Sequence, residues 1–219
     1  MGIKTNSGLK LYMESAIAAA KTITAITKAA PGVCSSTSHG FIAGDTVLME
    51  IQGMVELNGR LMKIGTVPDA NSFQLAGVDG TTGIDTTLYS TFSSGTAKKV
   101  TLGTSITGVQ DFSFAGGEIK TVDTTTVNDI IDTQIVVGAS AQSADMTVQW
   151  DPAAAAQQAM IAAFATRANK GFKCLWPDGA FVLWYGTVGY TGAPGGGKQE
   201  VTTSPAKITM LGSLSVYNG

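Results

Sequence analysis

Residues 146–188, MTVQWDPAAAAQQAMIAAFATRANKGFKCLWPDGAFVLWYGTV, constrain the fold more than any other stretch of the chain. Strand alternation at Met146, Val148 and Trp150 is closed by Asp151-Pro152. Proline is tolerated at the first turn of a helix, and the aspartate before it is placed to cap the free N–H groups. A helix near 152–168 is expected, with Ala155, Ala159, Ile161, Ala162 and Phe164 recurring at three- and four-residue spacing. So narrow an apolar stripe predicts a helix lying on a sheet, with Gly171 as its C-terminal stop and with Trp150 and Phe164 in the core. Residues 172–176 then alternate as a strand. Pro177-Asp178-Gly179 forms a turn in which proline presets φ and glycine accepts positive φ, and residues 181–187 complete a hairpin.

Twenty-seven glycines, many threonines and only 14% charged residues favour short strands and turns over helices. With 219 residues and 44% hydrophobic side chains, the chain can bury one good core or two small ones. A net charge of −2 supplies no basic stripe and argues against sequence-specific nucleic-acid binding. Cys34 and Cys174 are far apart and match no metal-ligand spacing, so they read as buried free thiols in a reducing compartment. Lys10 and Glu14 interrupt the apolar run near the start and break any secretory core there. No stretch reaches the ~20 apolar residues of a membrane span.

Along the chain, residues 5–12 read as a first strand, with Leu9 and Leu11 alternating with polar neighbours. Residues 14–21 are alanine-rich, but the threonines and isoleucines that follow favour extended structure. From 22 to 99 the texture changes to short strands separated by Gly44-Asp45, Asn58-Gly59 and 69–71. Asn-Gly between alternating segments signals a type I′ hairpin, because both central residues need positive φ. This region reads as a compact all-β module inserted between the first two strands of a host domain made of 1–21 and 100–219. Its tail, 81–99, reads as a loop or edge strand. In the host, 118–132 carries four acidic residues, offers little to bury and reads as a long exposed hairpin or a loop ordered on assembly.

Two pieces of the chain carry a family likeness. One is the E-x-x-x-V-D-x-T-T-x-x segment over 118–128, and the other is the strand–helix–strand–PDG–strand block over 146–188. Together they resemble the tail tube protein of long-tailed, lambda-like bacteriophages, and with the first strand the likeness covers the whole host domain. The inserted residues, with HGFIAGD, MVELNGR, ANSFQLAGVDG and SSGTA, are similar to a small β-barrel module found in many phage virion proteins and named for a domain (FCCH-like) of ubiquitin-activating enzymes. No ubiquitin chemistry follows from that name. The resemblance implies a mainly β fold: a β-sandwich or barrel tail-tube domain with one packed helix on the outer face of its sheet, plus the small inserted all-β module. It implies a structural, self-assembling virion protein with no catalysis, no cofactor and no metal. Subunits would close into six-fold rings and stack into a tube through which DNA passes into the host, satisfying exposed sheet edges by repetition. A mildly acidic chain suits such a conduit, since a basic wall would hold phosphates. The implied partners are further copies of the chain, a tape measure protein, a tail terminator and distal tail or baseplate proteins. The implied location is the virion tail, assembled in the host cytoplasm with no membrane. The expected subunit-interface residues are Glu118, Lys120, Asp123, Thr125 and Asp129 in the loop, with Thr5, Leu9 and Leu11 as an arm.

Other readings compete at particular residues. Residues 192–198 match G-x-x-x-x-G-K, but Gln199 stands where Ser or Thr would bind Mg²⁺ and the sequence beyond reads as strand, so the stretch is a hairpin loop. His39 sits in a Ser/Thr-rich turn with no partner fixed by sequence and reads as a turn residue. Glu118 with Asp123 or Asp129 has the composition of a glycosidase pair, with solvated or interface charge as the simpler reading. Trp176, Trp184 and Tyr185 flank the PDG turn either as cross-strand packing or as a sugar platform. Two rival functions therefore stay open: the tube subunit of a contractile secretion-type system, and a surface carbohydrate-binding β-module.

Overall fold

The computed structural model describes residues 7–128 and 130–218. In chain order its elements are β1 (Lys10–Met13), β2 (Ala16–Ile17), β3 (Lys21–Ile23), β4 (Ala25–Ile26), β5 (Cys34–Ser35), β6 (Thr46–Gln52), a 3₁₀ turn (Val55–Leu57), β7 (Arg60–Lys63), β8 (Ser72–Phe73), β9 (Ser94–Thr101), β10 (Thr104–Ile106), β11 (Val109–Ala115), β12 (Ile119–Asp123), β13 (Gln134–Ala139), β14 (Ser143–Gln149), α1 (Ala155–Thr166), β15 (Asn169–Leu175), β16 (Phe181–Gly189), β17 (Thr203–Met210) and β18 (Ser215–Tyr217). The fold is mainly β with a single α-helix among the described residues, as the composition predicts.

The main sheet is antiparallel, in the order β10-β1-β15-β16-β17-β14-β11. β16 is long enough to serve two partners on one edge: β17 pairs with its Gly186–Gly189 end and β18 with its Phe181–Leu183 end. Gly186 permits this handover, because a Cβ there would strike the Thr209 carbonyl of β17. Strict alternation sorts the faces of β17, where Ser204, Ala206, Ile208 and Met210 point inward and Pro205, Lys207 and Thr209 outward. Ile106 and Phe112, from the two end strands, share one core with Met13, Met146, Phe172 and Trp184, so the sheet curls around it. Trp184 lies stacked on Phe172 (centroids 5.6 Å) and edge-on to Phe114 (5.3 Å).

Helix α1 completes this core with Ala156, Met160 and Ala163. Three expectations are corrected here. The helix begins at Ala155, because Asp151 uses its Oδ1 and its carbonyl to accept the N–H groups of Ala153 and Ala154, closing a turn before the helix and leaving Ala154 as an uncapped N-cap. The buried stripe is Ala156, Gln157, Met160 and Ala163, one position away from the expected one, and on a helix one position is a rotation of about 100°. Ile161, Phe164 and Trp150 accordingly stand 39%, 44% and 39% exposed instead of in the core. Gln157 is tolerated in the stripe because its Oε1 accepts from Tyr190 Oη (2.7 Å) and Asp151 N (3.1 Å) while its Nε2 donates to Gln149 O (2.6 Å). The helix ends at Arg167 in the left-handed region (φ 53°), not at Gly171. Gly171 lies inside β15, where a Cβ would come within 2.8 Å of Leu61 Cδ1.

A second core is built within residues 23–97 from Ile23, Val47, Met49, Met54, Leu57 and Phe73 among others. Its strands form the sheet β2-β9-β6-β7, with β3 also on β9, and the small sheet β4-β5-β8. Residues 81–93 lie outside any strand, as the loop expected over 81–99 requires, whereas from Ser94 onward the chain forms β9, a central strand and not an edge. Asn58 has φ −68° and ψ 135° and Gly59 φ 69°, a type II turn in place of the expected I′, because the 3₁₀ turn already reverses the chain after β6. His39 is buried at 2% exposure, its Nδ1 accepting from Phe41 N (2.9 Å) and its ring stacked on Phe41. Cys34 and Cys174 are buried free thiols, and burial pushes both up to about 12.

A third cluster joins the two cores: Leu48, Leu61, Ala76 and Val100 pack on Leu183 and Tyr217. These two residues lie on the face of the main sheet opposite Trp184. Polar links reinforce the seam. Tyr217 Oη accepts the Lys63 N–H (2.9 Å), Arg60 donates to Leu214 O (3.1 Å) and Ser215 Oγ (3.3 Å), and Asn218 N–H reaches Val78 O (2.7 Å). Nearby, buried Glu14 is satisfied by Lys170 Nζ (3.0 Å) and Gly171 N–H (3.1 Å).

Candidate functional site

β11 and β14 pair in the main sheet from Val109↔Val148 to Ala115↔Ser143, and the two strands then leave it together. The departure is set at Gly116 and Gly117, with φ 86° and 82°, and a Cβ on Gly116 would collide with the Ala141 carbonyl. Beyond this bend, β12 and β13 form a separate two-stranded sheet. The bend is pinned by Ser140 N–H to Glu118 O (2.8 Å) and Glu118 N–H to Ser140 Oγ (3.0 Å). The expected long exposed hairpin is thus present.

Every residue of β12 and β13 is exposed. The surface is strongly apolar: Ile119, Val122, Val127, Ile130, Ile131, Ile135, Val136 and Val137 are all at least half exposed, with Val127 at 103% and Ile130 at 101%. A lone two-stranded hairpin is marginal in water, and uncovered apolar patches of this kind mark interaction surfaces. The arrangement can bury apolar area against another body.

Of the expected interface residues, Glu118, Lys120, Asp123 and Thr125 lie on this hairpin, and Asp129 and Thr5 fall outside the described residues. Asp123 is turned inward to its own loop. Its Oδ1 accepts from Thr125 N (2.8 Å) and Oγ1 (2.6 Å), which holds its carboxyl below the usual range, and Thr125 Oγ1 accepts from Thr133 N (3.0 Å). Leu9 is half-buried against the main core. Leu11 is 2% exposed between Ile106 and Cys174 and belongs to that core, so it is not a free arm. The valines and isoleucines of the hairpin were not singled out from sequence, although a signal was present. Residues 135–137 are three consecutive β-branched residues, a run that places apolar groups on both faces of a strand.

A different surface lies on the outward face of β11, β14 and β17. Asp111, Ser113, Asp145, Thr147, Pro205 and Lys207 line a shallow depression of about 310 Å³ there, with Lys207 3.4 Å from Asp145. It is small-residue and polar, and carries two acids to one base.

The competing readings of particular residues lose their geometry. Trp184 is fully buried, Trp176 packs against the main core and Tyr185 against the seam, so no shared aromatic platform exists. The 192–198 loop leads into β17, not into a helix, and its Gly197 N–H is taken by Glu200 Oε2 (3.0 Å). Among the described residues no helix is long and apolar enough to cross a membrane.

Compared with known proteins, residues 52–219 match the family model described as phage tail tube protein (TTP), more than half of the chain. No curated protein matches.

Proposed function

The chain belongs to the phage tail tube protein family, and on that premise we infer its role in the virion. It is a structural, non-enzymatic component of the virion tail that self-assembles into a tube with other tail proteins. From that premise we propose that this subunit closes into six-fold rings of the lambda-like, long-tailed type, stacked into the conduit through which DNA is delivered. The single observation that carries the reading is the uncovered hairpin from Ile119 to Ala139, a coreless element whose apolar side chains need a neighbouring subunit. Glu118, Lys120, Asp123 and Thr125 flank that contact, and Asp129, Thr5 and Leu9 are proposed as further interface residues from the sequence.

In this arrangement the host domain, 1–21 and 100–219, forms the wall, and the 22–99 module of FCCH-like type stands outside. The module packs at β16 and β18 on the face of the sheet opposite Trp184, and at β11, β14 and β17 that same face stays bare, polar and free of arginine. That bare surface lines the lumen, where two acids to one base per subunit leave phosphates unheld. The tape measure protein fills the lumen during assembly, and the tail terminator and distal tail proteins close the ends.

Electron microscopy of the purified full chain, fresh and after concentration, tests the reading. Hollow tubes with six-fold end views are expected. Persistent monomers at every concentration, or rings of another order, overturn it.

A further inference from the structure

The outward side of α1 is a second apolar surface without cover. None of the helix's twelve residues, AAQQAMIAAFAT, is charged, and its solvent side carries Ile161, Phe164 and small alanines with only Gln158 and Thr166 as polar groups. Ile161 and Phe164 stand out from it beside Trp150, whose indole N–H is fixed to Gly192 O at 3.0 Å. Gly192 in turn lies against Ile161, where a Cβ would fall 2.7 Å from Cδ1, so Trp150 and Ile161 flank one glycine, and Phe164 follows Ile161 at i+3 on the helix surface. One turn further on, exposed Arg167 has no ion-pair partner among the described residues.

The tip of the hairpin has the opposite character in charge and the same in polarity. Over 124–133 it carries Val127, Ile130 and Ile131, with two acids, Asp129 and Asp132, and no base. The other available seat is the groove of about 420 Å³ at the hairpin's root. It is lined by Val55, Leu211, Asn58 and Glu56, and would set a carboxylate against the tip's own acids.

We propose that the hairpin tip of one copy seats on the α1 face of a second copy. Ile130 and Ile131 cover Ile161, Phe164 and Trp150, and Asp132 turns toward Arg167, away from Asp151 at the other end of the helix. The contact joins two different surfaces of the same chain, so every copy keeps one donor and one acceptor and the contact propagates head to tail. This inference rests on the tube reading above, and its failure is distinguishable from the failure of that reading.

The test uses two full-length variants with one added cysteine each, Ile131→Cys and Phe164→Cys, mixed, assembled and treated with a short bis-maleimide. The native thiols are buried and do not compete. Crosslinked dimers whose peptides join position 131 to position 164 are expected, with none formed when Leu88→Cys, 95% exposed on the module, replaces Phe164→Cys. Tubes that form normally but link 131 only elsewhere overturn the docking and leave the tube reading intact. Absence of any assembly by the unmodified chain overturns both. A paired check is Phe164→Asp, expected to abolish elongation at an unchanged melting temperature, against Phe164→Leu, expected to elongate. Normal elongation of Phe164→Asp overturns the docking.

Discussion

Replacing Ile130 and Ile131 together by asparagine tests the hairpin with the least disturbance to the subunit. In the isolated chain these side chains are 101% and 78% exposed, so the monomer loses no packing and its stability is expected to stay within about 0.5 kcal/mol of the parent. In the tube each isoleucine would be transferred from water to an apolar contact, worth about 1.5–3 kcal/mol apiece. The pair therefore contributes about 3–6 kcal/mol per subunit contact, and asparagine forfeits it. At 1.4 kcal/mol per tenfold, the critical concentration for tube formation should rise by about 10²–10⁴. Sedimentation of tubes across a concentration series measures the critical concentration, with thermal melting as the control. A variant that melts like the parent and polymerises at the parent's concentration refutes the assignment of the hairpin to assembly.

Three further outcomes follow from the cores. Tyr217→Phe leaves the Lys63 N–H at the seam without its acceptor and should cost about 1–3 kcal/mol, read as a lower denaturation midpoint at unchanged slope. Trp184→Ala should cost about 3–5 kcal/mol, whereas Phe164→Ala should change monomer stability by no more than about 0.5 kcal/mol; equal losses at the two sites would contradict the placement of α1. Burial raises both thiols from 9.0 to about 12, so at pH 8 a thiol-specific reagent should label the protein only after unfolding. Because the folded values lie above the unfolded one, the thiols' contribution to stability is complete below pH 9 and fades as pH climbs toward about 12.

The hairpin's own pH response has the opposite sign. The Asp123 carboxyl is held below its ordinary value by hydrogen bonds from Thr125, so the loop is supported at neutral pH and loses that support as pH falls below the ordinary carboxylate range. A side-chain titration of Asp123 centred at or above 3.8 would contradict the observed turn.

Local physics settled much in advance. The PDG turn formed where proline and glycine require it, with Gly179 at φ 92°. The exposed hairpin over 118–132 appeared where it was expected, although its five valines and isoleucines make it an uncovered apolar surface and not a stretch with little to bury; the buried free cysteines and the single helix among strands were legible from spacing and composition. Tertiary contacts decided the remainder. A helix of mostly alanine presents nearly equal faces, so sequence could not say which stripe would meet the sheet. Gln157 decided it, because its amide finds Tyr190, Asp151 and Gln149 on one side only. Gly171 looked like a helix stop until Leu61, 110 positions earlier in the chain, was seen to need its missing Cβ. Leu11 alternates as an arm would, yet β10 and β15 close on it from both sides. The sequence by itself determined the β-rich class, the turns and the hairpin that finds no core, since each depends on residues close along the chain. Only the tertiary structure decided the buried helix face, the curling of the sheet and the surfaces left bare for a neighbour, because those depend on which distant side chains fill the same space.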